Sequence, residues 1–188
     1  MPLVVFLRGV NVGGHRTFRP AILAKQLRHL GVVNIGAAGT FVIRQAMGQA
    51  PLRSEFERRL PFEAEVIICQ SSKLVQLMDR NPFEGQRMGP DNVRFVSILS
   101  RRQRLDPRLP ATFPPKGKWL LKILAREGRF VVGMYRRDMK VIGYLGKLDR
   151  LFGVPVTTRN WNTLSAIVRA LGAVGGRGEN RTQSSIRI

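Results

Sequence analysis

Hydrophobic residues first recur along this chain with a period of two. Over residues 3–9, Val5 and Leu7 fall on one face and Phe6 and Arg8 on the other, which predicts a β-strand. The period then changes to that of a helix. Pro20 opens a segment in which Leu23, Leu27 and Leu30 form an i, i+4, i+7 stripe, and Gly31 closes it. Residues 32–37 and 40–44 read as two short strands joined by the small-residue turn Ala38-Gly39. A second helix opens at Pro51 with Leu52, Phe56 and Leu60 inward, and residues 63–69 return to strand. The order βαββαβ predicts a ferredoxin-like unit over residues 1–84.

Ser71 or Ser72 is placed to cap a third helix running through Met78, which Asn81-Pro82 ends. Gly85 to Gly89 reads as a connector into a second, smaller αβ unit over residues 85–171. That unit begins with a strand over 93–99 and a Pro- and Arg-rich loop over 101–116. An antiparallel hairpin of 119–126 and 129–135 then turns at Glu127-Gly128. A short helix over about 144–152 precedes a C-terminal helix with Leu164, Ile167, Val168 and Leu171 at core spacing. From Gly172 to Ile188 no apolar face remains, which predicts a disordered tail. The predicted class is α+β.

Composition narrows the class further. With 44% hydrophobic residues in 188, the chain has enough apolar material for a core. No apolar run approaches the roughly 18 residues needed to cross a bilayer, so no membrane partner is expected. Residues 1–8 have no basic region ahead of their apolar stretch, which Arg8 ends after five residues. That is not a signal peptide, and a cytoplasmic location is the expectation. The single Cys69 excludes an intramolecular disulfide and a cysteine-rich zinc module, and reads as a small core residue.

Charge changes the picture most. The formal net charge is +20, and residues 87–150 hold 16 basic against 5 acidic groups, more than half of the excess. Self-repulsion makes such a surface costly unless anions screen it, and nucleic acid does so by releasing its counterions. An Arg-rich composition inherited from genome-wide base bias gives the same count.

Most catalytic signatures are absent: no P-loop, no GxGxxG after a strand, no GxSxG and no HExxH. Neither His15 nor His29 has a cysteine or acid at ligand spacing, so no metal, cofactor or catalytic residue is assigned. Glu63 and Glu65 share a predicted strand face, but Arg58 and Arg59 nearby explain them as a solvated surface.

Two stretches stand out. In Leu7-Arg8-Gly9-Val10-Asn11-Val12-Gly13-Gly14-His15-Arg16 a strand runs into a glycine-rich loop, and Arg8, Asn11, His15 and Arg16 supply donors around it. In Thr157-Thr158-Arg159-Asn160-Trp161-Asn162-Thr163 a helix start carries Arg159, Asn160, Asn162 and Thr163 beside its own free N–H groups, a setting suited to phosphate or carboxylate. A tight βα loop and an N-cap beside a buried Trp161 are the structural alternatives.

LRGVNVGG and TTRNWNT resemble motifs of the bacterial family catalogued as domain of unknown function 1697, over about residues 3–171. The resemblance implies a cytoplasmic α+β protein with a ferredoxin-like unit, and no agreed activity, cofactor or partner. Family members commonly carry Tyr-Ile-Gln-Ser-Gly-Asn where this chain has Gly36-Ala37-Ala38-Gly39-Thr40, so the Gln, Ser and Asn side chains of that segment are missing here.

Two function classes follow, and the sequence fixes no oligomeric state for either. The first is a nucleic-acid-binding module. Val5 to Val10 has the shape of the RNP2 strand of an RNA-recognition motif, and Gly39 to Ile43 is a poor RNP1. If Phe6 faces outward, Phe41 joins it as a stacking platform; if the second unit covers that face, Phe6 is core. Backbone binding through Arg101, Arg102, Arg104 and Arg108 is compatible with both. The second class is a binding protein or enzyme for a small phosphorylated or carboxylated metabolite, held in a cleft where the two motifs converge between the subdomains.

Overall fold

A computed structural model describes residues 1–10, 18–103 and 107–175, the side chains of the last three excepted. The first unit runs β1 (Leu3–Arg8), α1 (Pro20–Gln26), a single 3-10 turn (Arg28–Leu30), β2 (Val32–Asn34), β3 (Thr40–Ile43), α2 (Gln49–Glu57) and β4 (Glu65–Gln70). Its sheet has the order β2-β3-β1-β4, antiparallel throughout, which is the predicted ferredoxin-like connectivity. Gly31 takes a left-handed φ of 61° and stops the first helical segment as its position implied. α2 opens two residues before Pro51, which sits inside the first turn, where a missing N–H breaks no intrahelical bond. Glu63 precedes β4 rather than sharing a strand face with Glu65.

α3 (Ser71–Asp79) begins without a side-chain cap. Ser71 is already helical, and its N–H donates to the Pro2 carbonyl at 3.2 Å, so the predicted serine cap is replaced by a tertiary bond. The chain then forms β5 (Asn92–Leu99), β6 (Ala111–Phe113), β7 (Leu121–Glu127), β8 (Phe130–Arg136), α4 (Val141–Leu145), α5 (Leu148–Phe152), β9 (Val156–Asn160) and α6 (Trp161–Gly175). These strands make a second antiparallel sheet in the order β6-β7-β8-β5-β9. Two strands were hidden from sequence: β6 lies within the Pro- and Arg-rich loop, and β9 occupies the TTRN stretch read as a helix start. The expected helix over 144–152 is two short helices on either side of Gly146. α6 continues to Gly175, so the first residues assigned to the tail are helical, and residues 176–188 lie outside those described.

Each sheet is apolar on both faces. Val5, Phe41 and Ile43 pack outward under α1 and α2 with Leu23, Leu27, Leu52 and Phe56. Phe95, Leu121 and Ile123 pack outward under α4 and α5 with Val141, Leu148 and Phe152. Between the sheets lies a shared core of Val4, Phe6 and Ile67 from one and Val96, Ile98, Val132 and Met134 from the other. Leu74 and Leu77 of α3 and Leu164 and Ile167 of α6 fill it.

That core overturns the stacking platform. Phe6 is 0% exposed and faces the second sheet. Phe41 stands opposite Val5 in the β1–β3 register and so points to the other side of the sheet, also at 0% exposure, edge-on to Phe56.

Candidate functional site

The two singled-out stretches meet. β1 delivers Arg8 to the end of its strand, half exposed, and β9 passes beside it. The Arg8 Nε–H donates to the Val156 carbonyl at 3.1 Å, and its guanidinium pairs with the Asp149 carboxylate. The other Asp149 oxygen accepts the Val156 N–H at 2.9 Å. Asp149 therefore fixes the start of β9 against the end of β1.

Arg159 lies deeper, 7% exposed. Its Nε–H donates to Thr40 Oγ1 at 2.7 Å, and Nη1 to Thr157 Oγ1 at 2.8 Å and the Thr158 carbonyl at 2.9 Å. Nη2 donates to the carbonyls of Leu7 at 2.8 Å and Ala38 at 2.7 Å. A guanidinium has five N–H donors, and all five are engaged. Burial pushes its pKa down to about 10, so it is still a cation at neutral pH. Its surroundings are carbonyl and hydroxyl dipoles and the Phe6 ring, 5.6 Å from its centre. Arg159 thus ties β9 to β1 and to the segment before β3. Gly39 permits that segment's close approach: at φ +67° it is left-handed, and a Cβ there would lie 2.9 Å from Leu7 Cβ and Val10 Cγ2.

Above this clamp opens a cavity of about 430 Å³, lined by Leu7–Val10, Ala37, Ala38 and Val156–Arg159. Ala37 and Ala38 give that wall methyl groups.

Of the residues singled out in sequence, Arg8 and Arg159 share this cavity. Asn160, Asn162 and Thr163 do not line it. Asn160 Oδ1 accepts the Thr163 N–H at 2.8 Å and hydroxyl at 2.9 Å, which makes the pair the N-cap of α6. Asn162 is exposed, and Trp161 packs edge-on to Phe83 at 4.9 Å rather than on the glycine loop's described part. Asn11, His15, Arg16 and Arg104 lie outside the described residues. Arg101, Arg102 and Arg108 are exposed.

Arg102 lines a second cleft of about 420 Å³ between the sheets, with Lys73, Arg80, Glu127 and Arg129. Arg80 pairs with Glu127. Arg129 donates from Nε to the Leu99 carbonyl at 2.8 Å, and from Nη1 and Nη2 to those of Ile68 and Ser100 at 2.9 Å. It is a second clamp between sheets, and sequence offered no signal for it beyond a basic residue after a turn. Cys69, in the same wall, is a buried thiol whose pKa is raised to about 11 by burial, against a smaller opposing pull from Arg129. It is a core residue, as its composition suggested. Among the described residues no three His, Cys, Asp or Glu are placed to hold a metal, and no helix is long and apolar enough to cross a membrane.

The profile of the family described as "Protein of unknown function (DUF1697)" matches residues 1–111. The chain belongs to that family. The DUF1697 match takes in LRGVNVGG and stops short of TTRNWNT, which reaches the site through the fold instead. The solved structure of the conserved bacterial protein SP0830 from Streptococcus pneumoniae is similar to this DUF1697 chain at TM-score 0.58 and 14% identity. The similarity covers 90% of this chain and 98% of that one, a likeness of fold. Comparison with curated proteins finds no match.

Proposed function

We propose that this protein binds polyanions, with nucleic acid the preferred class. The observation that carries the reading is charge without compensation. The chain has 32 basic and 12 acidic side chains, and the exposed Arg101, Arg102 and Arg108 form no ion pair among the described residues. Lys73 and Arg102 extend that surface into the cleft beside Arg129. With Phe6 and Phe41 buried, β1 and β3 offer no stacking face, and the exposed arginines act through phosphate contacts.

The test is binding of labelled single-stranded RNA, single-stranded DNA and duplex DNA across a salt series. The protein is first cleared of trace nucleic acid. Binding at physiological salt with a steep log–log slope supports the reading. Replacing Arg101 and Arg102 together by alanine is expected to lower that slope by about 2 if each meets one phosphate. Binding lost by physiological salt sinks it and leaves base composition as the source of the charge.

The cavity between β1 and β9 favours a second reading, a small phosphorylated or carboxylated ligand. Its volume lies within the roughly 300–1,000 Å³ of ligand pockets, and both motifs wall it. Arg8 is the half-exposed cation there, whereas Arg159 has no donor to spare and acts by positioning. Arg8→Ala is expected to abolish small-anion binding while leaving the polyanion slope unchanged.

A further inference from the structure

The inter-sheet face of the second sheet is only partly covered. Val96, Ile98 and Val132 lie under α6, but the same face continues along the strands toward Asn92 and Arg136. In register across three strands, Arg94 of β5 stands opposite Met134 of β8, which stands opposite Lys122 of β7. Asn92 stands opposite Arg136 in the same sheet, two residues further along each strand. Residues two apart on a strand share a face, so Arg94, Lys122 and Arg136 project together.

Trp119, half-buried at the edge of the shared core, closes one side. The Arg136 guanidinium lies 4.5 Å from its ring centre and the Lys122 ammonium 5.1 Å. The Arg136 Nε–H donates to the Trp119 carbonyl at 3.0 Å, which holds the guanidinium beside the indole, and its Nη groups make no hydrogen bond among the described residues. The 85–91 connector forms the opposite wall and brings in exposed Arg87. Together they enclose about 540 Å³. Asp91 is the one carboxylate in this lining. None of the lining cations Arg87, Lys122 and Arg136 forms an ion pair among the described residues; Arg94 lies outside the lining, 5.6 Å from the Phe83 ring centre.

An aromatic ring with unpaired cations around it, on an open antiparallel sheet, has the makings of a single-strand platform. Bases stack on aromatic and guanidinium planes while cations track the phosphates. We infer that this face, and not β1, binds single-stranded nucleic acid, with a base stacking on the Trp119–Arg136 layer and flanking phosphates meeting Arg87 and Lys122. The inference deepens the polyanion reading and rests on it. A paired base offers no free face, so the platform prefers single strands to duplex.

The experiment uses the whole protein and three probes: a fluorescein-labelled oligothymidylate, a duplex of equal length, and inorganic phosphate. Trp119→Ala is expected to weaken single-strand binding by about 5- to 150-fold and duplex binding far less. Trp119→Phe, which keeps an aromatic face, retains most of the affinity, and phosphate alone does not compete at millimolar concentration. Equal losses on single strand and duplex, or unchanged binding in Trp119→Ala, overturns the platform. In the second case the polyanion reading stands if wild type still shows its salt slope. Competition by millimolar phosphate also overturns it, since the site then takes phosphate without the base. If wild type binds no oligomer, the polyanion reading and the platform fall together.

Discussion

Arg159→Met asks whether hydrogen bonds or apolar burial hold the two sheets together at the motif cleft. Methionine keeps an unbranched apolar stem and removes all five donors. Three enclosed acceptors there depend on Arg159, namely Thr40 Oγ1, Thr157 Oγ1 and the Leu7 carbonyl, while a fourth, the Gly39 carbonyl, keeps the Leu7 N–H. Leaving each without a donor costs about 2 kcal/mol, the middle of the usual range, or about 6 kcal/mol for the three. The carbonyls of Ala38 and Thr158 are partly exposed and regain water. Against that loss stands relief of the buried charge. Burial pushes the Arg159 pKa down to about 10, which corresponds to about 3 kcal/mol of desolvation that methionine does not suffer. The net expectation is a destabilisation of about 3 kcal/mol, seen as a lower urea midpoint with an unchanged m-value. In thermal melts of a chain this size it is a drop of about 6–12 °C. The assay is urea unfolding followed by tryptophan fluorescence. A variant as stable as wild type, or more so, would refute the reasoning and show that the cation's burial cost outweighs its five bonds.

Other outcomes follow from the same geometry. A Cβ at Gly133 would lie 2.3 Å from the Lys122 carbonyl oxygen and 2.5 Å from the Phe95 ring, so Gly133→Ala is expected to lose about 2–4 kcal/mol in urea melts; a loss below 0.5 would contradict that packing. Phe6→Ala should cost about 3–5 kcal/mol through cavity formation and leave the single-strand preference untouched, which a salt-series binding assay on refolded protein checks. The Cys69 thiol titrates near 11 in the folded chain against 9.0 when free, so the folded state holds its proton longer. Its contribution is complete below pH 9 and declines as pH rises from 9 to 11, by up to about 3 kcal/mol. Cys69→Ala should therefore flatten that part of the stability curve, and alkylation of wild-type Cys69 at pH 8 should proceed only as fast as the chain opens. Asp149→Asn should cost no more than about 1 kcal/mol in the same urea assay, because the Arg8 pair it breaks is more than a third exposed on both sides.

The first unit was legible in sequence because each of its elements carries its own periodicity. The Leu23, Leu27 and Leu30 stripe, the alternation along β1 and the left-handed stop at Gly31 are all local, and together they specify βαββαβ. β9 was not legible for an equally local reason. Its buried positions include Thr157 and Arg159, so the inward face of the strand is polar and shows no hydrophobic alternation. The motif residues were visible as donors, but a donor's role depends on where its acceptors lie. Those of Arg159 lie up to 152 residues away, on Leu7, Ala38 and Thr40.

Sequence by itself determined the elements of the first unit, the class, the excess of positive charge and the two stretches that stand out. Only the tertiary structure decided what each does. Whether Phe6 is a stacking face or a core residue turns on whether a second sheet covers it, and whether Phe41 joins it turns on strand register. Local pattern reports which face of an element is apolar, but it carries no information about which other element covers that face. The same holds for Trp119, whose neighbours Lys122 and Arg136 come together only because β7 and β8 pair in one particular register. Charge is a property of the chain, while a site is a property of the distances between charges, and those distances are fixed by packing.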